Sequence, residues 1–289
     1  MYRVALVLCL ALLASFTIVA MAQQTPVSQN AAGDYTIRFV AGGEQKEFTF
    51  ERATHVLPDV RVQVARATTD GNLTYTYRVA NGSGARQEIH SFTITDASTA
   101  SIASEPPDWK GDTVPQRGRV YWLRLSKTSR RGIPPGQSVD AFIVRSKLLP
   151  GPTTAELRGA TEVPKVTPVV PESALRQLRT LLERDFVTAL TVGPVIAGFS
   201  PTEPELTTDV FMARVKNRFA VPLVRSGHPD AESLMTAFDQ AIAAGGGSAT
   251  VKALAAIEQI ARRPSPTPIV NELNQALLIN FEHARAAGR

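Results

Sequence analysis

The hydrophobic pattern of this chain changes its period at a proline-rich segment, residues 160–172. Before this segment, Leu73–Val79 alternates apolar and polar side chains, which is typical of a strand with one buried face. After it, apolar residues recur at helical spacing, as at Leu178 and Leu182. The change of period predicts strands in the first part of the chain and helices in the second.

Strand-like segments follow one another in the first part, and no helical pattern interrupts them. Turn sequences separate them, among them Asp70-Gly71 and Asn81-Gly82, which suit tight hairpins. Strands without crossover helices pair in antiparallel fashion, so we expect an antiparallel β-sandwich. The predicted strands are Asp34–Ala41, Glu47–Glu51, Val60–Val64, Leu73–Val79, Glu88–Thr95, Arg119–Leu125, Val139–Arg145 and Thr154–Leu157.

Five helices are predicted in the second part from apolar spacing and from start and stop signals. Pro268 suits a first helical position, and Pro264 suits the end of the preceding helix. These helices predict a small helical bundle. They span Ala174 to Phe186, Thr207 to Phe219, Pro229 to the residue before Gly245, Ser248 to Arg263, and Thr267 to about Phe281.

The fold class expected is multidomain, an all-β part plus an all-α part. The prolines of the segment between the two parts favour an extended, semi-rigid linker. The predicted divisions are a signal peptide at 1–22, a flexible N-terminus at 23–33, a β-sandwich domain at 34–159, a proline-rich linker at 160–172 and an α-helical domain at 173–289.

The N-terminus has the order of features found in secretory signals. Arg3 precedes an uncharged apolar run, and Ala20-Met21-Ala22 offers small residues for cleavage between Ala22 and Gln23. An uncleaved membrane anchor is the alternative, because the run is long enough to span a bilayer. Cys9 is the only cysteine, so cleavage leaves a chain without thiols. We expect a secreted or periplasmic protein with no stable membrane span after cleavage.

Known catalytic and metal-binding motifs are absent from the sequence. The four histidines are not at metal-ligand spacing, and no G-x-S-x-G sequence occurs. Ser226-Gly227-His228-Pro229-Asp230 brings a serine, a histidine and an aspartate together, but Pro229 and Asp230 are better explained as a helix start. We therefore expect no metal, no cofactor and no enzymatic activity. The alternative is an exported hydrolase with an acid pair between the two halves.

A basic stretch is the one feature that favours binding. From Lys110 to Lys147 there are nine basic residues, opposed by Asp112 and Asp140. Arginine side chains suit sulfate, phosphate or carboxylate groups, although a solvated strand face explains the same charges. Trp109 and Trp122 could stack on sugars, but tryptophans in strands are more often core residues. The candidate binding residues are Arg117, Arg119, Arg124, Lys127, Arg130 and Arg131.

The first part resembles secreted bacterial immunoglobulin-like or fibronectin-III-like domains. The resemblance rests on Leu73–Asn81, on Trp109 and Trp122, and on Ile133–Ser138, which leads into Phe142-Ile143-Val144. It implies a sandwich with a role in adhesion, carbohydrate binding or spacing. We therefore expect a non-enzymatic extracytoplasmic binding or structural protein. Its partner would be an anionic envelope or matrix polysaccharide or a protein, and not nucleic acid, because the net charge of +5 is mild.

Overall fold

The computed structural model describes residues 27–66, 71–125, 132–160, 170–199, 206–245 and 247–287. Strands and helices occur in the predicted order, with antiparallel sheets first and most of the helices at the C-terminal end. The strands are β1 Val27–Gln29, β2 Tyr35–Ala41, β3 Glu44–Phe50, β4 Pro58–Arg66, β5 Leu73–Asn81, β6 Ile89–Ile94, β7 Ser101–Ser104, β8 Trp109–Val114, β9 Arg119–Arg124, β10 Ser138–Ser146, β11 Leu149–Gly159 and β12 Val187–Ile196. The α-helices are α1 Glu172–Glu183, α2 Thr208–Arg225, α3 Ala231–Ala243, α4 Gly247–Ala261 and α5 Pro268–Ala287.

The chain forms two compact units whose boundaries differ from the predicted ones. One unit combines Met1–Ala53 with Thr161–Asp185, and the other combines Thr54–Ala160 with Phe186–Arg289. The chain therefore passes between the units three times. Most of the predicted linker, residues 161–169, lies outside the described residues, as does the predicted signal peptide.

The first unit is a three-stranded antiparallel sheet, β1-β2-β3, with helix α1 packed on it. Side chains of alternating β2 residues, Tyr35, Ile37 and Phe39, are buried with side chains from α1 such as Leu178 and Leu182. The helix thus belongs with the N-terminal strands and not with a separate helical domain. Residues 27–29 of the predicted flexible N-terminus form β1, which pairs with β2.

The second unit contains the predicted β-sandwich. Its four-stranded sheet has the order β4-β5-β10-β7, and its five-stranded sheet has the order β12-β11-β6-β9-β8. Every strand pair in both sheets is antiparallel. Four strands facing five is the division of variable-type immunoglobulin sandwiches. The connections differ, however. In a variable domain the chain runs from strand C to C′, then C″, then D, whereas here β7, β8 and β9 occupy the positions of D, C″ and C′, in that order.

An aromatic cluster fills the space between the two sheets. Phe142 on β10 lies with its ring centroid 5.5 Å from that of Trp122 on β9 and 5.0 Å from that of Trp109 on β8. Phe92 on β6 stacks on Trp122 at 5.2 Å. Both tryptophans are therefore core residues, as the more conservative sequence interpretation held. Large aromatic side chains of this kind supply much of the apolar area that a sandwich buries.

Helices α2 to α5 share a single hydrophobic core with the sandwich. Phe211 and Phe219 of α2 and Phe281 of α5 are fully buried in the same cluster as Phe92. The Asn280 amide of α5 also donates to the Pro150 carbonyl of β11 across 2.7 Å. The helical part is consequently not a domain of its own. None of the described helices is long and apolar enough to cross a membrane.

Strand β12 was not predicted, and its position explains why the predicted domain boundary does not hold. It follows α1 in sequence but pairs with β11 from Leu149↔Ile196 to Leu157↔Val187. The first helix was also predicted to reach Phe186, whereas α1 ends at Glu183. Residues 160–186 therefore separate, in the sequence, two strands that are neighbours in one sheet, β11 and β12.

Candidate ligand-binding surface

The outer face of the five-stranded sheet is the surface on which the predicted basic residues can be tested. Cross-strand pairing places one row of side chains across all five strands. The adjacent residues of the ladder, such as Phe92 and Trp122, point into the core, so this row points away from it. The row consists of Thr188, Glu156, Thr93, Tyr121 and Asp112.

Arg119 lies on this outer face because it is two residues before Tyr121 on β9, and alternate residues of a strand point to the same face. Its guanidinium Nη2 is 3.0 Å from Oε1 of Glu156, two strands away. The Arg119 side chain is 41% exposed and that of Glu156 is 14% exposed. The Glu156 carboxylate therefore pairs with the Arg119 guanidinium group, which is still accessible to solvent.

Two further bases occupy the same outer face. Lys110 on β8 is paired with Leu123 in the ladder, and Arg158 on β11 is paired with Ser91. Lys110 Nζ also lies 3.3 Å from Oε1 of Glu105. Lys110 was counted in the basic stretch, whereas Arg158 was missed because it is distant in sequence.

Arg124 does not belong to the outer face. It has the inward parity of Trp122 on β9, and its side chain is only 10% exposed. Its Nη2 is 2.8 Å from Asp108 Oδ2, and its Nη1 donates to the Pro107 carbonyl across 2.9 Å. The structure thus gives Arg124 internal partners instead of a place on the binding surface.

Of the other four predicted binding residues, the structure describes Arg117. Arg117 is exposed at the end of a short 3-10 helix, Pro115–Arg117, directly before β9. Lys127, Arg130 and Arg131 lie outside the described residues. Arg145 lies on β10 in the other sheet, with outward parity, so the basic stretch is divided between the two outer faces of the sandwich.

A groove lies where α2 crosses strands β11 and β12, and it opens beside Thr188. Its cavity volume is 460 Å³. The lining from α2 includes Asn217, Arg218, Val221 and Arg225, and the lining from β12 is Thr188, Ala189 and Leu190. A volume of this size is within the range of small-molecule and peptide sites.

Arg218 is held rigidly at one wall of this groove. Its Nε donates to the Pro152 carbonyl across 2.8 Å, and its Nη2 lies 2.6 Å from Asp96 Oδ2. Asp96 is the only carboxylate in the described lining of the groove. The groove therefore does not supply the acid pair that a glycoside hydrolase requires.

The serine, histidine and aspartate at 226–230 form a helix boundary and not a catalytic triad. His228 is buried; its Nδ1 accepts the Asp230 backbone N–H across 3.0 Å, and its Nε2 lies 3.0 Å from Asn274 Oδ1. The Ser226 hydroxyl donates to the Leu223 carbonyl instead of to the histidine. Both imidazole nitrogens are thus occupied by structural partners.

The other histidines of the described chain form no metal site. His283 Nε2 accepts the Phe199 backbone N–H across 2.9 Å, and burial lowers the pKa of His283. His90 is half-buried in β6, and burial lowers its pKa as well. Within the ranges that the structure describes, no group of three or more histidine, cysteine, aspartate or glutamate side chains could hold a metal ion.

Glu272 on α5 is a buried carboxyl group that the sequence analysis missed. Burial raises its pKa to about 7, although the Val62 backbone N–H on β4 lowers it in part. Its Oε2 atom is buried without a hydrogen-bond partner. The sequence shows only a glutamate on an amphipathic helix, and its burial follows from the packing of α5 against β4.

Comparisons with known proteins identify a similar solved structure but no family. No protein-family model matches the chain, and no curated protein matches it. Among solved structures, the chain is similar to an uncharacterised protein from Nocardia farcinica whose crystal structure reveals an immunoglobulin-like fold. The identity is 16%, the match covers 48% of this chain and 98% of that chain, and the TM-score is 0.30.

Proposed function

We propose that this chain is a non-enzymatic binding protein that acts outside the cytoplasm and contacts an anionic polymer, such as an envelope or matrix polysaccharide. The observation that supports this proposal is the composition of the outer face of the five-stranded sheet. Lys110, Arg119 and Arg158 lie on the same outer face as the half-exposed ring of Tyr121, and Arg117 lies at the border of this face. Glu156 and Asp112 are the acids of the same face, and Glu105 contacts Lys110 from beside it, so four bases stand against three acids among the described residues.

The chemistry of this face suits sulfate or carboxylate groups on an extended chain. Arginine presents several donors in a planar fork, and tyrosine offers an aromatic surface with a hydroxyl group. Neighbouring strands are about 4.8 Å apart, so the row from Thr188 to Tyr121 spans about 14 Å. A flat row of this length favours several weak contacts with a polymer over one deep contact with a small molecule.

The location outside the cytoplasm rests on the N-terminal sequence alone. The apolar run and the cleavage pattern at Ala22 and Gln23 are typical of export. The absence of cysteine from the rest of the chain is compatible with a sandwich that relies on its aromatic core for stability. The hydrolase alternative has no acid pair in the groove to favour it.

A polyanion binding experiment tests this function. The purified protein, beginning at Gln23, is titrated with fluorescent dextran sulfate and with uncharged dextran. We expect saturable binding of the sulfated polymer only, weakening as salt is added because exposed charges are screened. Binding of both polymers alike, or of neither, would contradict the proposal.

Two double variants locate the contact. The variant Arg117→Ser/Arg119→Ser should weaken binding about fivefold, since each exposed charge contributes up to about 1 kcal/mol. The matched control is Arg78→Ser/Arg145→Ser, which removes two outward bases from the opposite sheet. Equal losses in both pairs would show general attraction to a basic protein instead of a defined surface.

A further inference from the structure

We propose that the open edge of β12, residues Val187–Leu190, is a docking site for an extended acidic segment of a partner polypeptide, which adds to the five-stranded sheet as a further strand. Strand addition uses the main-chain groups of an edge strand for affinity and side-chain pockets for specificity. This edge and the adjoining groove share Thr188 with the polymer-binding face, whereas the basic residues of that face lie on other strands.

The edge of the four-stranded sheet at β4 is closed by helix α5. The Gln275 amide Nε2 donates to the Val64 carbonyl across 3.3 Å. The Glu272 carboxyl group accepts the Val62 backbone N–H. Two side chains of the helix thus occupy main-chain groups that another strand would otherwise use. Proteins commonly protect exposed sheet edges in this way, because an open edge invites pairing with another chain.

Two more edges of the sandwich carry other protective features. Strand β7, at the far edge of the four-stranded sheet, has only four residues. Strand β8, at the far edge of the five-stranded sheet, carries Lys110 and Asp112. Short edge strands and charged edge side chains both disfavour the addition of a strand.

The beginning of β12 lacks every one of these features. Val187-Thr188-Ala189-Leu190 contains no charge and no proline, and these residues are exposed or half-buried. The next four residues, from Thr191 to Pro194, are buried, and they end in a proline. Within the described chain, β12 pairs only with β11. Strand β4 and helix α5 also lie near β12. Its exposed or half-buried first half, residues 187–190, is the part whose main-chain groups are left open to a partner.

The groove indicates which side chains such a partner would carry. Val221 and Pro222 of α2 form an apolar wall opposite Leu190, and Val221 is 57% exposed. Arg218 is neutralised by Asp96, whereas Arg225 has no ion-pair partner among the described residues. Successive side chains of a strand point to opposite faces, so every second residue would meet this wall. The expected segment alternates apolar or acidic residues with polar ones.

A polypeptide fits these observations better than a sugar chain. An open strand edge offers alternating N–H donors and C=O acceptors at the repeat of another strand. The apolar wall and the single unpaired base also match side chains that recur at every second position. A second copy of this chain could use the same edge, and the experiment distinguishes that outcome.

The experiment uses short synthetic peptides as the probe. In the pool, every second residue is valine, leucine, aspartate or glutamate, and the others are threonine; a control pool carries lysine in place of the acids. Binding to the full chain is measured by fluorescence anisotropy at up to about 1 mM peptide, where even weak sites are occupied. Backbone hydrogen exchange reports where the peptide lies. We expect binding of the acidic pool and slower exchange of amides in residues 187–190.

Single variants test the two contacts. Val221→Ser removes the apolar contact of the wall without adding a charge, and Arg225→Glu reverses the charge that selects acidic segments. Each should weaken binding at least about tenfold. Val251→Ser on α4 is the matched control, because Val251 is 63% exposed and lies outside the groove lining; it should leave the affinity unchanged.

Several results would overturn the proposal. They are the absence of binding throughout the acidic pool, equal binding of the lysine pool, and binding without protection of residues 187–190. Concentration-dependent dimerisation of the chain that protects the same amides would assign the edge to a second copy. Loss of affinity in the Val251→Ser variant equal to that in Val221→Ser would show an effect that does not depend on the groove.

Discussion

Arg52 and Asp185, which are 133 residues apart, form an ion pair inside the first unit. Arg52 Nη2 lies 2.6 Å from Asp185 Oδ1, and the arginine Nε contacts both carboxylate oxygens. The buried carboxylate also accepts the Tyr35 hydroxyl across 2.9 Å. This contact joins the end of the N-terminal strands to the residue at which the chain leaves the first unit.

The variant Asp185→Asn should destabilise the first unit by about 2–3 kcal/mol, because the neutral amide no longer balances the Arg52 charge and offers one acceptor oxygen in place of two. Urea denaturation followed by tyrosine fluorescence measures the loss. The exposed pair Arg38–Glu47 is the control, and Glu47→Gln should cost less than about 1 kcal/mol. Equal costs for the two variants would show that the buried carboxylate has no special role.

Glu272 predicts a pH dependence of stability. Its pKa in the folded protein is raised to about 7 from 4.5 by burial. Below the lower value the group is protonated in both folded and unfolded chains. As the pH rises between the two values, the unfolded chain loses its proton and the folded chain keeps it, so stability falls. The loss is complete once the pH has passed the folded value.

Glu272→Gln should remove this dependence and leave the protein more stable than the original chain above about pH 7, since no charge needs to be buried. Urea denaturation on both sides of the titration range provides the measurement. Glu232→Gln on the exposed face of α3 is the control and should keep the original pH profile. An unchanged profile in Glu272→Gln would contradict the assignment.

Gly111 on β8 tests how tightly the aromatic core is packed. A Cβ atom at this position would lie 2.7 Å from Trp122 ring atoms and 2.5 Å from Ile102 Cδ1. Gly111→Ala should therefore destabilise the sandwich by about 1–3 kcal/mol, the usual cost of overpacking. Gly84→Ala is the control, because its Cβ would meet Leu57 Cδ1 at 3.5 Å. Thermal unfolding monitored by tryptophan fluorescence compares the two; equal melting temperatures would refute the prediction.

Export predicts the N-terminus of the processed protein. When the full chain is produced in a bacterium, the protein recovered outside the cytoplasm should begin at Gln23, as measured by intact mass. Ala22→Leu should leave the precursor uncleaved, because signal peptidase needs a small residue there. Recovery of the full-length original chain from the cytoplasm would contradict the predicted location.

The sequence by itself determined most of the local structure. Alternation at Leu73–Val79 indicated β5, and helical spacing together with Pro268 indicated the start of α5. The sandwich followed from strands that have no helices between them. These inferences succeeded because the period of the apolar residues depends only on local backbone geometry.

The tertiary structure alone decided which elements pack together and which bases share a surface. Nothing in the local pattern of α1 shows that its apolar face meets β2 instead of the other helices, or that β12 pairs with β11. Arg119 and Arg124 look alike in sequence, but their positions on β9 differ in parity, and Asp108 holds only Arg124. Contacts between residues distant along the chain determine these outcomes, and periodicity specifies which side chains share a face without specifying what that face meets.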